Sequence, residues 1–130
     1  MELQITDKIF QFKFGYGFLK RVNDKFTLES QSGVPVRTGV SIIVTNLLLA
    51  DLETTFDVLM MANVTEIPRV TTSDLEALVD QMGGVELVKL VLEELKKSEY
   101  TKTLTNKLLE NTPPESNILT TSTEESNEQG

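Results

Sequence analysis

Hydrophobic and polar residues alternate over the first part of the chain, which is the pattern of two short β-strands. Leu3 and Ile5 share one face of residues 2–6, and three phenylalanines share one face of residues 8–14. Thr6-Asp7-Lys8 between them suits a tight turn. The pattern predicts an N-terminal two-stranded β-hairpin. Its phenylalanine face must pack on other elements, because an isolated hairpin is only marginally stable in water.

A double-glycine corner follows the second strand and changes the period of the pattern. Gly15 and Gly17 end the alternation, and the apolar residues after them recur at helical spacing as far as Phe26. We interpret one or both glycines as permitting a sharp bend from strand to helix. We expect the corner to seed the core, and its structural residues are Phe10, Phe12, Phe14, Gly15, Gly17 and Phe18.

Helical periodicity continues through most of the remaining chain. Asp51 is expected to cap the third helix, and Ser73-Asp74-Leu75-Glu76 to open the fourth with a capping box. Gly83-Gly84 is expected to end the fourth helix in a left-handed cap. The second helix is apolar nearly all round, which indicates a central position or an oligomer contact. The predicted helices span about residues 17–26, 40–50, 52–63, 73–82 and 85–108, with a loop over 27–39 that includes a short extended piece at 34–36.

These elements predict an α+β fold that is mostly α: an N-terminal two-stranded β-hairpin followed by about five helices. The chain has 130 residues, which is the usual size of one domain. We assign residues 1–110 to a single globular domain. Residues 111–130 are rich in Pro, Ser, Thr, Asn and Glu, and their only apolar residues are Ile118 and Leu119. This composition predicts a disordered acidic tail.

Composition and charge exclude several classes of function. The chain has no Cys and no His, which excludes a disulfide framework, a thiolate or histidine metal site and a Ser-His-Asp triad. The net charge is −8, with −4 from residues 1–110 and −4 from residues 111–130. An acidic chain repels phosphates, so nucleic-acid binding is not expected. No stretch is long and apolar enough for a membrane span, and residues 1–8 lack the features of a secretory signal.

The motifs that suggest chemistry are incomplete. Gly15-Tyr16-Gly17 lacks the third glycine of a dinucleotide fingerprint, since Lys20 stands there. The phenylalanines at alternate positions resemble a base-stacking platform, but no basic groove accompanies them. Glu93, Glu94 and Glu99 are interleaved with lysines and fit a solvated helix face. We therefore predict no catalytic residue, no cofactor site and no metal site, although an enzyme that uses carboxylates or Lys remains an alternative.

The chain resembles the tail assembly chaperones of long-tailed phages and prophages of Gram-positive hosts. The resemblance spans about residues 1–105. It is carried by the hairpin, by FxFGxGFLKxxN from Phe12 to Asn23, and by VPVRTG before the apolar helix. A helix near residues 52–62 and a late helix followed by an acidic polar tail complete it.

This resemblance implies a non-catalytic factor of the host cytoplasm that binds the tape measure protein and is not retained in the mature virion. It also implies self-association, and a frameshifted longer form that recruits the tail tube protein, with residues 111–130 as the linker. The alternatives are another non-enzymatic phage structural or neck component, or a small helical regulatory protein.

A partner that covers the apolar faces of a tape measure protein needs an apolar surface of its own and no chemistry. The apolar stripes of the second and fifth helices exceed what a small core requires. Methionines re-pack easily and suit an adaptable surface, although such residues more often fill a core. The predicted contact residues are Ile43, Leu47, Met60, Met61, Val88, Val91, Leu92 and Leu95.

Overall fold

A computed structural model describes residues 1–26, 28–29, 35–36 and 39–111. The predicted tail beyond residue 111, and most of the predicted loop over 27–39, lie outside the described residues. The described residues form two β-hairpins and six helices: β1 (Glu2–Ile5), β2 (Lys8–Gln11), α1 (Tyr16–Lys25), β3 (Leu28–Glu29), β4 (Pro35–Val36), α2 (Gly39–Leu48), α3 (Leu52–Asn63), α4 (Thr72–Met82), α5 (Gly84–Lys97) and α6 (Lys102–Asn111). The mostly helical α+β fold with an N-terminal hairpin is confirmed.

The N-terminal hairpin is antiparallel and buries one face. Leu3 lies opposite Phe10 in the register, and Met1 and Phe12 exchange backbone hydrogen bonds of 2.7 and 2.9 Å beyond the strands. Ile5, Phe10 and Phe12 are buried in the core. The alternation of the sequence therefore continues past the last residue of β2, because Phe12 keeps the extended pairing.

The outer edge of β1 is closed by a side chain of α4. Gln81 donates from Nε2 to the carbonyl oxygen of Gln4 at 2.9 Å, and its Oε1 accepts from the backbone N–H of Thr6 at 3.1 Å. One amide side chain thus supplies a donor and an acceptor to the edge, as a neighbouring strand would. This attaches the hairpin to the helices and covers an edge that could otherwise pair with another chain.

Helix α2 occupies the centre of the helical layer. It packs against α1, α3, α5 and α6, and its buried side chains include Val40, Ile43, Val44 and Leu47. The central position predicted from its all-round apolar sequence is therefore observed. Its first residue lies unusually close to α1: a Cβ on Gly39 would stand 2.6 Å from the carbonyl oxygen of Val22. Only glycine permits this approach without a shift of the backbone.

Helix α3 begins where its capping residue predicts. The side chain of Asp51 accepts from the backbone N–H of Glu53 at 3.2 Å, and it also accepts from the hydroxyl of Thr54 at 2.6 Å. The bounds Leu52–Asn63 match the sequence pattern. The N-cap satisfies donors that the first turn leaves without helical partners.

Helix α4 starts earlier than its sequence suggested. The capping box consists of Thr71 and Asp74: Thr71 Oγ1 accepts from the Asp74 N–H at 3.1 Å, and Asp74 accepts from the Thr71 N–H at 2.9 Å. The prediction of Ser73 as the first capping residue was wrong, because Thr71 and Asp74 satisfy the same spacing two residues upstream. At the other end, Gly83 has φ 94° and ψ 145°, which is a glycine-favouring conformation but not a left-handed helical one.

The predicted fifth helix is divided into α5 and α6. The chain turns at Ser98, whose backbone is extended, and the Ser98 hydroxyl donates to the carbonyl oxygen of Phe14 at 2.6 Å. The Thr101 hydroxyl donates to the carbonyl oxygen of Leu95 at 2.7 Å. These hydroxyls bind backbone carbonyls in place of a continued helix, so α6 turns back to pack on α2 and α5.

The strand-to-helix corner bends without the conformational freedom of glycine. Gly15 has φ −101° and ψ −160°, and a Cβ there would meet nothing within 4 Å. Gly17 lies within α1, and among the described glycines only Gly83 has a positive φ. The interpretation that these two glycines permit the bend is therefore not supported. The phenylalanines hold the corner instead: Phe18 is buried and meets the ring of Phe14 edge-on at 4.9 Å.

Candidate partner-binding surface

The C-terminus of α3 is bound to the N-terminal corner through its backbone carbonyls. Arg21 donates from Nε to the carbonyl oxygen of Met61 at 3.0 Å, and the Lys13 N–H donates to the carbonyl oxygen of Ala62 at 2.7 Å. The last turn of any helix leaves such carbonyls without helical partners. The corner therefore fixes where the exposed residues at this end of α3 lie.

Asn63 fixes the loop that follows α3. Its side chain is fully buried, and its Nδ2 donates to the carbonyl oxygens of Gln11 at 3.0 Å and Pro68 at 3.1 Å. Its Oδ1 accepts from the backbone N–H of Val70 at 2.7 Å. One amide at the end of α3 thus holds both β2 and the second half of the loop that leads to α4, because its bonds reach backbone groups of both segments.

A shallow apolar depression lies between the end of α3 and this loop. Met60 and Val64 are exposed at 38% and 37%, and Met61 is half-buried. Ile67 lies in the same loop and, at 88%, is the most exposed of the large apolar side chains among the described residues. We call the depression the α3-end groove, and its lining residues are Arg21, Met60, Met61, Val64, Arg69 and Val70.

A second depression lies where the corner meets the α5–α6 junction. Phe12, Phe14 and Tyr100 line it together with charged residues of both signs, including Lys13 and Glu94. Tyr100 also approaches Tyr16, with ring centroids 6.2 Å apart, and both tyrosines are exposed. The mixed charge and small apolar area make this surface less suited to an apolar partner than the α3-end groove.

The predicted contact residues fall into two groups. Met60 and Met61 line the α3-end groove, and for these two residues a partner contact remains a prediction. The other six side chains are buried in the core, where a partner does not reach them in this conformation: Ile43, Leu47, Val88, Val91, Leu92 and Leu95. The stripes of α2 and α5 are covered because α6 packs back on both helices.

Sequence reasoning missed the residues that border the groove. Arg69 lies in a segment without periodicity, as does the exposed Ile67 two residues before it, and Arg21 lies outside the apolar stripe of α1. Pro68 indicates a loop here, but it does not indicate that Ile67 is exposed. The available signal was an isolated Ile between polar residues and a proline, far from any helical stripe.

The described residues contain no cluster of three or more acidic, His or Cys side chains that could hold a metal ion. The ion pairs found there join residues three positions apart, such as Lys96–Glu93 at 3.2 Å within α5 and Lys102–Glu99 at 2.8 Å at the start of α6. Such exposed pairs contribute little to stability. No helix in the described ranges has the length and hydrophobicity that a membrane span requires.

The geometry described above is that of a small helical protein with an exposed apolar groove at a fixed position. The family model of the phage tail assembly chaperone protein matches residues 2–110, which is most of the chain. The chain therefore belongs to the phage tail assembly chaperone family. No curated protein and no solved structure matches it in the same comparisons.

Proposed function

We propose that this chain binds the tape measure protein of its phage during tail assembly, in the cytoplasm of the bacterial host. It acts by contact, without catalysis. Membership of the tail assembly chaperone family supports a role in building the tail. The observation that carries the binding step is the α3-end groove, where Met60 and Val64 expose apolar surface on a fixed scaffold, with the exposed Ile67 in the adjoining loop.

An apolar groove suits the task of protecting a tape measure protein before assembly. A tape measure protein is long and helical, and its apolar faces have no partner before the tail tube closes around it. An apolar surface that covers such faces reduces aggregation, because it removes apolar area from water. The methionines of the groove suit a partner with varied sequence, since their side chains adapt to different neighbours.

Three further properties belong to the same proposal. The chain associates with itself, and a longer frameshifted form, joined through residues 111–130, recruits the tail tube protein. Exposed apolar side chains outside the groove, such as Leu49 and Val85, support self-association. The protein leaves before the virion matures.

Co-expression tests the binding step. The chain and the tape measure protein encoded by the same phage are produced together and separately, and the soluble fraction of the tape measure protein is measured. We expect a soluble complex only on co-expression. Equal solubility without the chain, and no complex, would contradict the proposal. Detection of the chain in purified mature virions by mass spectrometry would instead favour a structural or neck component.

A further inference from the structure

We infer that the α3-end groove takes an amphipathic helix whose apolar ridge is bordered by carboxylates. The inference rests on the proposed function for the identity of the protein that supplies the helix. It goes further in naming the chemistry that the groove selects.

The floor of the groove selects an apolar ridge. Met60 and Met61 occupy successive positions near the end of α3, and Val64 follows one turn later. Val70 closes the opposite side and is itself buried. Apolar side chains spaced by three and four residues on a partner helix meet such a floor along one face.

The border of the groove selects negative charge. Two of its six lining residues are arginines, Arg21 and Arg69, and no carboxylate lines it. This is unusual in a chain of net charge −8. The bond from Nε to the Met61 carbonyl orients the guanidinium of Arg21, and Arg69 is exposed. Arginine presents a planar set of donors that matches a carboxylate in two-pronged geometry.

The loop that carries Arg69 and Ile67 is already held in place before a partner arrives. Asn63 binds Pro68 and Val70, which flank Arg69, at 3.1 and 2.7 Å. A fixed loop loses little conformational entropy on binding, so more of the contact energy contributes to affinity. Ile67 belongs to this loop, two residues before Arg69, and is 88% exposed, so it is available to a helix that extends beyond the groove.

The edges of the N-terminal hairpin favour a helix over an added strand. Gln81 bonds to the edge of β1, and Asn63 bonds to the edge of β2 at the carbonyl oxygen of Gln11. A partner strand would have to displace these side chains before it could pair. The groove offers its surface without such a displacement, so helix binding is the mode that this geometry favours.

The first arm of the test uses designed helices and needs no tape measure protein. Two fluorescein-labelled peptides share one apolar ridge and differ only in flanking Glu or flanking Lys; fluorescence anisotropy gives their affinities for the full chain. We expect the Glu-flanked helix to bind at least about tenfold tighter. Arg69→Glu should remove this preference and Arg69→Lys should retain part of it. Lys107→Glu, on α6 outside the groove, is the matched control and should change nothing.

Equal binding of the two peptides, tighter binding of the Lys-flanked peptide, or no binding of either would overturn the inference. Ile67→Ser should weaken binding of the Glu-flanked helix, whereas Ile9→Ser, at an exposed apolar position on β2, should leave it unchanged. An unaffected Ile67→Ser variant would also count against the inference. The melting temperature of each variant verifies that it remains folded.

The second arm separates this inference from the proposed function. Arg69→Glu and Lys107→Glu variants are co-expressed with the tape measure protein, and the recovered complex is quantified. If Arg69→Glu loses the complex and Lys107→Glu retains it, both the proposed function and the inference are supported. A complex that both variants form equally well keeps the proposed function and overturns the inference. If the chain prefers the Glu-flanked peptide but even the wild type forms no complex with the tape measure protein, the inference about the groove stands and the proposed function is overturned.

Discussion

The side-chain amide of Asn63 donates a hydrogen bond of 3.0 Å to the backbone carbonyl oxygen of Gln11, although the two residues are 52 positions apart. The same amide holds the loop after α3 at Pro68 and Val70. The edge of the N-terminal hairpin and the groove proposed for partner binding are thus positioned by one buried side chain. Stability and the geometry of the proposed binding surface therefore both depend on Asn63.

Asn63→Ala should lower the free energy of unfolding by about 3 kcal/mol, because it leaves buried backbone groups without partners. Urea denaturation measures the loss. Asn106→Ala is the matched control: among the described residues that amide donates to the Lys102 carbonyl within its own helix, at 2.8 Å. The control should cost less than about 1 kcal/mol. Similar losses for the two variants would show that the Asn63 bonds are not specially important.

Gly39→Ala should destabilise the protein by about 1–3 kcal/mol, because the new Cβ must displace backbone. It would stand 2.6 Å from the Val22 carbonyl oxygen and 2.7 Å from Asn23 Cα. Gly15→Ala is the control, since nothing lies within 4 Å of its Cβ position. It should change stability by less than about 0.5 kcal/mol. A large loss at Gly15 would restore the interpretation of that glycine as the bend.

Phe12→Ala should cost about 3–5 kcal/mol, because it removes a buried ring and leaves a cavity. Phe12 is only 2% exposed, whereas Ile9 on the other face of the hairpin is 48% exposed. Ile9→Ala should cost less than about 1 kcal/mol. Thermal or urea unfolding of both variants checks the difference. A near-zero loss for Phe12→Ala would mean that the phenylalanine face is not packed in solution.

Removal of residues 112–130 should leave the melting temperature nearly unchanged. Apart from Ile118 and Leu119 this segment is polar or acidic, so it has little apolar area to bury. Calorimetry of the full and shortened chains measures the effect. A large drop in melting temperature would show that the tail packs on the domain, against the predicted boundary near residue 110.

Local signals predicted much of the fold. Alternation predicted the hairpin, and Asp51 predicted the start of α3, because both depend on neighbours in the sequence. The break after α5 was missed because its cause is distant: the hydroxyl of Ser98 bonds to Phe14, 84 residues away. The sequence spacing of Tyr100, Leu104 and Leu108 alone predicts one continuous helix.

The candidate site was harder to predict than the fold. Periodicity identifies the apolar face of a helix but not the element that covers it, so Leu95 and Val91 were assigned to a contact surface although both are fully buried. The groove combines the end of α3 with a loop that Asn63 holds in place. Arg69 has no periodic pattern around it, and its place beside Met60 in the groove depends on tertiary structure.

Hydrogen–deuterium exchange on the purified complex with the tape measure protein tests the central claim most directly. Backbone amides of the chain are compared with and without the partner. We predict protection over residues 60–70, where the α3-end groove lies, and little change over residues 102–111 of α6, which do not line it. Failure to form a complex, or protection that leaves residues 60–70 unchanged, would contradict the account.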